Sequence, residues 1–331
     1  MERIKKLSDN LSPATGTRFV LDNCGCLSQS QQEEYNRNGF LVVKRLFTPE
    51  DLKVYMDRFE AVTTGGVETP AIIMKDVALV KGVKEKSSQH TSDIITKVQD
   101  FQDDPEFFSF CTHSKLKPYI RSFCGSNFRS IHTMLINKPP DLGSGTSRHP
   151  LHQDLYYFPL QPPERIVAAW VAMETINREN GCLSVLPGSH LGTLRPHGYP
   201  KWEGGVNYLY HGITSDIDLD QRVFLHMEQG DCVFFHPLLI HGSGRNSSGR
   251  FRKAISCHFA SGDLTHFALE EAQKSLLEES LTNALKNANM TCKDMSEEFK
   301  FKLYCYFWKL KSRQISGEET EQWKLDDDIV L

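Results

Sequence analysis

A mainly β fold, either a sandwich or a jelly-roll barrel with helices on its flanks, is what this chain predicts. Short runs rich in Val, Ile, Phe and Thr recur between glycine, proline and asparagine punctuation, and no internal repeat divides them into equal units. The 20 Phe and 10 Tyr supply the bulk that a β-rich interior needs. A chain of 331 residues is long enough for one such barrel with additions at both ends.

Taken in order, Ser28 and Gln31 form a capping box that opens a helix, and Asn38-Gly39 closes it where a left-handed residue is easily accommodated. Phe40-Leu41-Val42-Val43 reads as a short buried strand. Thr48-Pro49-Glu50-Asp51 starts a second helix, with a hydroxyl cap, proline at its first position and acids facing the positive end of the dipole. Its stripe Leu52, Tyr55, Met56 and Phe59 is assigned to core packing. Ala71-Ile72-Ile73-Met74 is a strand, 84–91 a polar loop, and residues 94–100 carry Lys97 among apolar neighbours.

Strands are expected at 128–137, 151–158, 165–174, 182–187, 222–227, 231–236 and 252–260. Glu179-Asn180-Gly181, Pro187-Gly188 and Gly230-Asp231 punctuate them. Beyond the strands, Leu269, Ala272, Leu276, Leu277, Leu281 and Leu285 give 264–290 a helical stripe that should pack on the outside of the sheet. The aromatic and basic run 299–311 reads as another packed helix in preference to a lipid-facing segment.

Composition narrows the class. A net charge of −4 and a pI near 6.4 give no reason to expect a nucleic-acid partner. The 9 cysteines are odd in number and scattered without paired metal spacing, which suits reduced thiols in an intracellular compartment. Cys24-Gly25-Cys26 is read as a surface loop. No apolar run reaches the roughly 18 residues of a membrane span, and no hydrophobic secretory core opens the chain.

The chemistry points to Arg148-His149-Pro150-Leu151-His152-Gln153-Asp154. On an extended strand, alternate residues share a face, so His152 and Asp154 aim an imidazole and a carboxylate at one point while Gln153 faces away. Two histidines and a carboxylate on one face of ferrous iron leave the opposite positions open, and His241 is the candidate second histidine. It stands in Pro237-Leu238-Leu239-Ile240-His241-Gly242, read as the end of an apolar strand running into a glycine turn. Arg252, a little further on, offers a planar fork suited to the far carboxyl of a dicarboxylate. His226 with Glu228 is the competing pair and lacks a comparably placed arginine. His132, His149, His236 and His258 are assigned supporting or core roles, because a fourth protein ligand would block a cosubstrate.

Longer segments carry a resemblance. Residues 94–102, 132–140, 146–158, 234–244 and 251–260, together with Asn180-Gly181-Cys182-Leu183 and Trp202-Glu203-Gly204-Gly205, are similar to the phytanoyl-CoA dioxygenase family. The likeness runs from about Leu21 to Ser261, and the carboxyl-terminal helices match less well. It implies a double-stranded β-helix with His152, Asp154 and His241 on Fe(II). It further implies that Arg252 and Ser243 hold the distal carboxylate of 2-oxoglutarate, with Lys97, Met134 and Trp170 lining the same pocket. The reaction so implied takes O2 and a branched acyl-CoA such as phytanoyl-CoA and hydroxylates its second carbon in fatty-acid α-oxidation, with ascorbate as a further cofactor. A family member acting on another small molecule, or a non-catalytic barrel that binds a lipid or a partner protein, is the alternative. The intact set His152, Asp154, His241 and Arg252 favours the enzyme.

The expected organisation is a flexible tail at 1–16, the barrel with its amino-terminal helices at 17–262, and a helical extension packed on the barrel at 263–331. Arg3-Ile4 with Asn10-Leu11 resembles an amino-terminal peroxisomal import signal, departing from it at Asn10 where His or Gln is usual, so a peroxisomal location is expected and a cytoplasmic one otherwise. The chain ends Asp328-Ile329-Val330-Leu331, which is not a peroxisomal tripeptide.

Overall fold

The backbone N–H of Gln31 donates to Ser28 Oγ at 3.2 Å and that of Ser28 to Gln31 Oε1 at 2.9 Å, the reciprocal pair that starts α1 (Gln29–Asn38). The helix ends at Gly39, whose φ of 78° lies in the left-handed region. Thr48 and Asp51 make the same reciprocal cap for α2 (Pro49–Thr63). In the computed structural model, residues 19–20, 25–75, 94–141, 143, 147–200, 210–286 and 295–325 are described. The expected tail with its import-like segment, Cys24, the loop at 84–91, the segment Trp202-Glu203-Gly204-Gly205 and the carboxyl-terminal tetrapeptide lie outside these residues.

Two further helices, α3 (Pro105–Phe108) and α4 (Lys117–Cys124), were not foreseen. The signal for α3 was present, since Asp104 caps it through Phe107 N and Pro105 occupies its first turn. The strands follow as β1 (Phe40–Val43), β2 (Ile72–Lys75), β3 (Ile95–Gln99), β4 (Phe128–Lys138), β5 (His149–His152), β6 (Leu160–Gln161), β7 (Ile166–Ala172) and β8 (Leu183–Val185). Next come β9 (His197–Gly198), β10 (Gly212–Ile213), β11 (Val223–Phe224), β12 (Cys232–Phe235), β13 (His241–Ser243), β14 (Arg252–Ser261) and β15 (His266–Phe267). Helices α5 (Lys274–Lys286) and α6 (Glu297–Lys311) precede β16 (Arg313–Ser316).

The large sheet has the order β1-β12-β7-β14-β4-β3-β2 with β16 added to β4, and the small sheet the order β11-β8-β13-β5. Period-two alternation sorts the large sheet into two faces. Val167, Ala169 and Val171 of β7, with Ile255, Cys257 and Phe259 of β14, pack with Tyr35, Tyr55, Phe59, Phe107 and Phe123 of the amino-terminal helices. The alternate residues Ala168, Trp170, Ala172 and Ala254 face Leu183 and Val185 of the small sheet. Both faces of β7 are covered, which is why it reads as an unbroken apolar run.

Three boundaries differ from expectation. The strand expected at 151–158 stops at His152, and Asp154–Tyr157 forms a 3-10 turn. The carbonyls of Leu155 and Phe158 accept from Gln273 Nε2 at 2.7 and 2.8 Å, so that turn is satisfied without a sheet partner. His241 begins a strand and does not end one: Pro237 cannot donate, and Pro237–Ile240 turns instead, with Ile240 N donating to Ser189 Oγ at 2.8 Å. The helix read at 264–290 is confined, among the described residues, to Lys274–Lys286, because β15 and a short turn precede it. The apolar faces of α5 and α6 pack as Leu276, Leu277, Leu281, Leu303, Tyr304 and Trp308 against Ile131, Leu155, Tyr156 and Phe158, beside the site and not on the outer sheet face.

Gly230 ties this frame to the helices. Its φ is +87°, and a Cβ there would lie 2.0 Å from Phe47 O. Gly230→Ala is therefore expected to destabilise the protein by at least about 2 kcal/mol, read as a lowered midpoint in urea unfolding; an unchanged midpoint would contradict the close approach.

Candidate active site

His152, the last residue of β5, and His241, the first of β13, are Cα partners across the small sheet. Their Nδ1 atoms lie 2.8 Å from Pro150 O and 3.0 Å from Leu239 O. A carbonyl can only accept, so each Nδ1 carries the proton and each Nε2 presents a bare lone pair. Gln153 does face away: its amide donates to Leu238 O at 2.9 Å and to Thr193 O at 3.2 Å, and accepts from Arg195 N. Asp154 Oδ1 stands 3.2 Å from His152 Nε2 and 3.7 Å from His241 Nε2. One donor atom from each of the three lies within 4.8 Å of the others, and all three residues are buried.

The second carboxylate oxygen, Asp154 Oδ2, accepts from His258 Nε2 at 2.8 Å. Burial alone would raise the Asp154 carboxyl. The attraction of His241 and His258 and the hydrogen bond from His258 outweigh it and hold the group well below the usual carboxylate range.

Burial has the opposite consequence for the imidazoles. It pushes His241 down to about 4, more than the nearby Asp154 charge restores, and it pushes His190 to about 4 and His197 to about 3. Between these values and the free imidazole value of about 6.5, the unfolded chain binds protons that the folded one does not. Stability therefore falls as pH drops through this window, by on the order of 1.4 kcal/mol per pH unit for each fully depressed histidine. Metal-free protein should lose its thermal transition steeply between about pH 6 and 4, and Fe(II) should protect it because it binds neutral imidazole. A melting temperature flat across that range would sink this account. An acid limit set by His241 accordingly lies below the mild-acid value expected for a free histidine.

The large sheet furnishes the opposite wall. Alternate residues of β14 (Arg252, Ser256, His258), β4 (Met134, Ile136, Lys138), β3 (Lys97) and β7 (Trp170) line one cavity with the three candidate ligands and Ser243. All eight residues singled out from sequence therefore meet at a single cavity. Arg252 is 2% exposed; its Nη2 donates to Gly181 O at 2.7 Å, while its Nε and Nη1 have no hydrogen-bond partner among the described residues. Burial drops its pKa to about 10, although the Glu174 charge works the other way. Lys97 Nζ lies 4.5 Å over the ring of Tyr210. Ser243 Oγ accepts from Lys138 Nζ at 3.0 Å.

The competing pair is elsewhere: His226 and Glu228 are exposed, and Glu228 accepts from Thr175. His236 is in the core among Phe19 and His190. His149 stacks on His152 at 4.0 Å, and His132 on His258 at 5.7 Å. Sequence reasoning missed Lys138, Ser256 and Tyr210. Lys138 had a signal, since it continues the inward parity of Met134 and Ile136; Tyr210 had none.

These donors fit a metal and an anion. Two bare imidazole nitrogens and a carboxylate oxygen match the oxygen- and nitrogen-loving ferrous ion, and a buried guanidinium with two unused N–H groups requires an oxyanion.

The model of the phytanoyl-CoA dioxygenase (PhyH) family matches residues 35–254. The chain belongs to this family. The peroxisomal phytanoyl-CoA dioxygenase of Mus musculus is 53% identical over 247 residues, covering 74% of this chain and 72% of that protein. The Homo sapiens protein is 46% identical over 309 residues, covering 92% and 86%. The probable phytanoyl-CoA dioxygenase of Caenorhabditis elegans is 42% identical over 301 residues, covering 89% and 95%. Among solved structures, the epimerase SnoN in complex with Fe3+, alpha ketoglutarate and nogalamycin RO superposes with a TM-score of 0.56 at 20% identity, covering 76% of this chain and 88% of that one. EctD from S. alaskensis gives 0.55 at 15% identity, covering 79% and 86%. The fold is thus the double-stranded β-helix of the iron and 2-oxoglutarate oxygenases. As a phytanoyl-CoA dioxygenase family member, the chain is a 2-oxoglutarate-dependent dioxygenase that uses iron, O2 and a small-molecule substrate.

Proposed function

We propose that this dioxygenase hydroxylates the second carbon of a branched fatty acyl-CoA such as phytanoyl-CoA. His152, Asp154 and His241 hold Fe(II), and Arg252 with Ser243 holds the distal carboxylate of 2-oxoglutarate. The observation that carries this reading is the buried Arg252, which keeps two unpartnered N–H groups in the same cavity as the His-Asp-His donors. When bound, iron and 2-oxoglutarate supply the oxidising chemistry, consuming O2 and releasing succinate and carbon dioxide as the substrate gains a hydroxyl.

The protein contributes aim and dryness. Backbone carbonyls lock both imidazoles in the tautomer that offers Nε2, and His258 occupies the outer oxygen of Asp154 so that Oδ1 alone faces the histidines. Lys138 donates to Ser243 Oγ, which leaves the Ser243 hydroxyl proton free to meet a carboxylate beside Arg252. Trp170, Leu183 and Phe235 close the cavity against water, and Met134 and Lys97 complete the wall.

Ascorbate, as the reductant that keeps iron ferrous, and a peroxisomal location shared with the named mammalian relatives belong to the same reading. The test is succinate release from purified protein with ferrous iron, 2-oxoglutarate and ascorbate. A panel of acyl-CoAs and free acids should show stimulation by 2-methyl-branched acyl-CoA. Absence of stimulation by any acyl compound would reject the substrate class.

A further inference from the structure

A second cavity, of about 280 Å³, shares Lys97, Met134, His152, Asp154 and His258 with the candidate metal site, and the carboxyl-terminal helices form one of its walls, facing strand and turn residues such as Gln99, His132, Phe158 and His211. That volume is near the lower end of small-molecule sites, roughly 300 Å³. Helix α5 contributes Leu276 and Ser280, and α6 contributes Tyr304, Phe307, Trp308 and Lys311. Both helices lie beyond residue 254, where the family match ends. They are fixed to the site: Tyr304 Oη donates to Tyr157 O at 2.9 Å, and Gln273, just before α5, holds the turn that starts at Asp154.

Phe158, Leu276, Tyr304, Phe307 and Trp308 give the lining an apolar stretch; of its charged groups, Glu279 is turned to His211 at 3.4 Å, and Lys311 stands at the end of α6. The Lys311 ammonium lies 3.6 Å from the centroid of the Trp308 ring; Asp100 attracts it, but from beyond the reach of a direct ion pair. A lysine at a helix carboxyl terminus also meets the helix dipole, but that role requires no burial and no place in a cavity wall. A partly buried ammonium beside an aromatic wall is suited to a ligand that is aliphatic over most of its length and carries an oxyanion.

We propose that α5 and α6 form the substrate chamber, holding an acyl chain against Leu276, Tyr304, Phe307 and Trp308 and an oxyanion of its head group on the ammonium of Lys311. This assignment rests on the acyl-CoA reading above and adds to it the element that selects the substrate. The chamber opens onto the face of Asp154 and His152, so the reacting end of the chain reaches the metal site from the helical side.

Calorimetric titration of iron- and 2-oxoglutarate-loaded protein, kept free of oxygen, tests the assignment with 2-methylhexadecanoyl-CoA and the matching free acid. Lys311→Met should weaken acyl-CoA binding about tenfold, and Ser280→Trp, which fills the chamber, should weaken it at least as much, with the affinity for 2-oxoglutarate retained. A drop confined to the CoA ester identifies a phosphate as the oxyanion; an equal drop with both ligands places the carbonyl oxygen common to thioester and acid on Lys311 and overturns an oxyanion there. Melting curves establish that each variant is folded, and Lys311→Met alone suffices if Ser280→Trp is not. Wild-type binding that both folded variants retain overturns the chamber while sparing the acyl-CoA reading. Wild-type protein that binds neither ligand overturns both.

Discussion

Asp154→Ala should abolish substrate-stimulated succinate release while the circular dichroism spectrum is retained. Losing an outer partner of a metal ligand costs roughly tenfold to a hundredfold, and loss of a ligand itself should exceed that. The internal control is His258→Ala, which keeps all three donors and removes the hydrogen bond to Asp154 Oδ2 together with the ring's packing on Phe158 and His132. It should fall within the smaller range. The fold should survive Asp154→Ala because His241 is held neutral mainly by burial and needs no anion beside it at pH 7. Metal binding, followed independently by iron retention after gel filtration, should fall in parallel with turnover. Asp154→Ala protein that still turns over at more than a hundredth of the wild-type rate would remove the carboxylate from the ligand set.

Arg252→Met should raise the KM for 2-oxoglutarate on the order of a hundredfold or more, since two hydrogen bonds to a charged group contribute about 1.5–3 kcal/mol each. The same substitution should leave cosubstrate-free protein as stable as the wild type, or stabilise it by about 1–3 kcal/mol. The guanidinium is desolvated, and its Nε and Nη1 lack partners. Among the described residues, its bond to Gly181 O is the single hydrogen bond that methionine would forfeit. Unfolding in the presence of saturating 2-oxoglutarate should reverse the order, because the ligand then stabilises the wild type alone. An unchanged KM would move the anion site away from Arg252, and a large loss of stability without cosubstrate would make Arg252 a structural residue.

Much of the site was legible because strand alternation is a local rule. His152 and Asp154 could be placed on one face, and Gln153 on the other, from their spacing alone, and the extended Gln153 backbone keeps that relation although the strand ends there. The caps of α1 and α2 were equally local. His241 was found by residue type and company, yet its strand was read backwards: the apolar Leu238, Leu239 and Ile240 are a buried turn, satisfied by the neighbouring His236 and by the side chains of Ser189 and Gln153, distant in sequence. Gln273 does the same for the turn after β5, and no periodicity announces a glutamine that caps carbonyls far upstream.

What the linear chain determined by itself is much of the inventory and its parity: the capped helices α1 and α2 and the main strands, which residues of each strand share a face, and the donor types that suit ferrous iron and a dicarboxylate. Tertiary structure alone decided that His152 and His241 are direct neighbours, that His258 takes the second oxygen of Asp154, and that Arg252 lies buried with unused donors. It also decided that α5 and α6 wall a cavity beside the donors instead of covering the outer sheet. The reason is physical: parity follows from backbone geometry over two residues, whereas convergence depends on which sheet edges and helix faces find one another, and that is settled by burial summed over the whole chain.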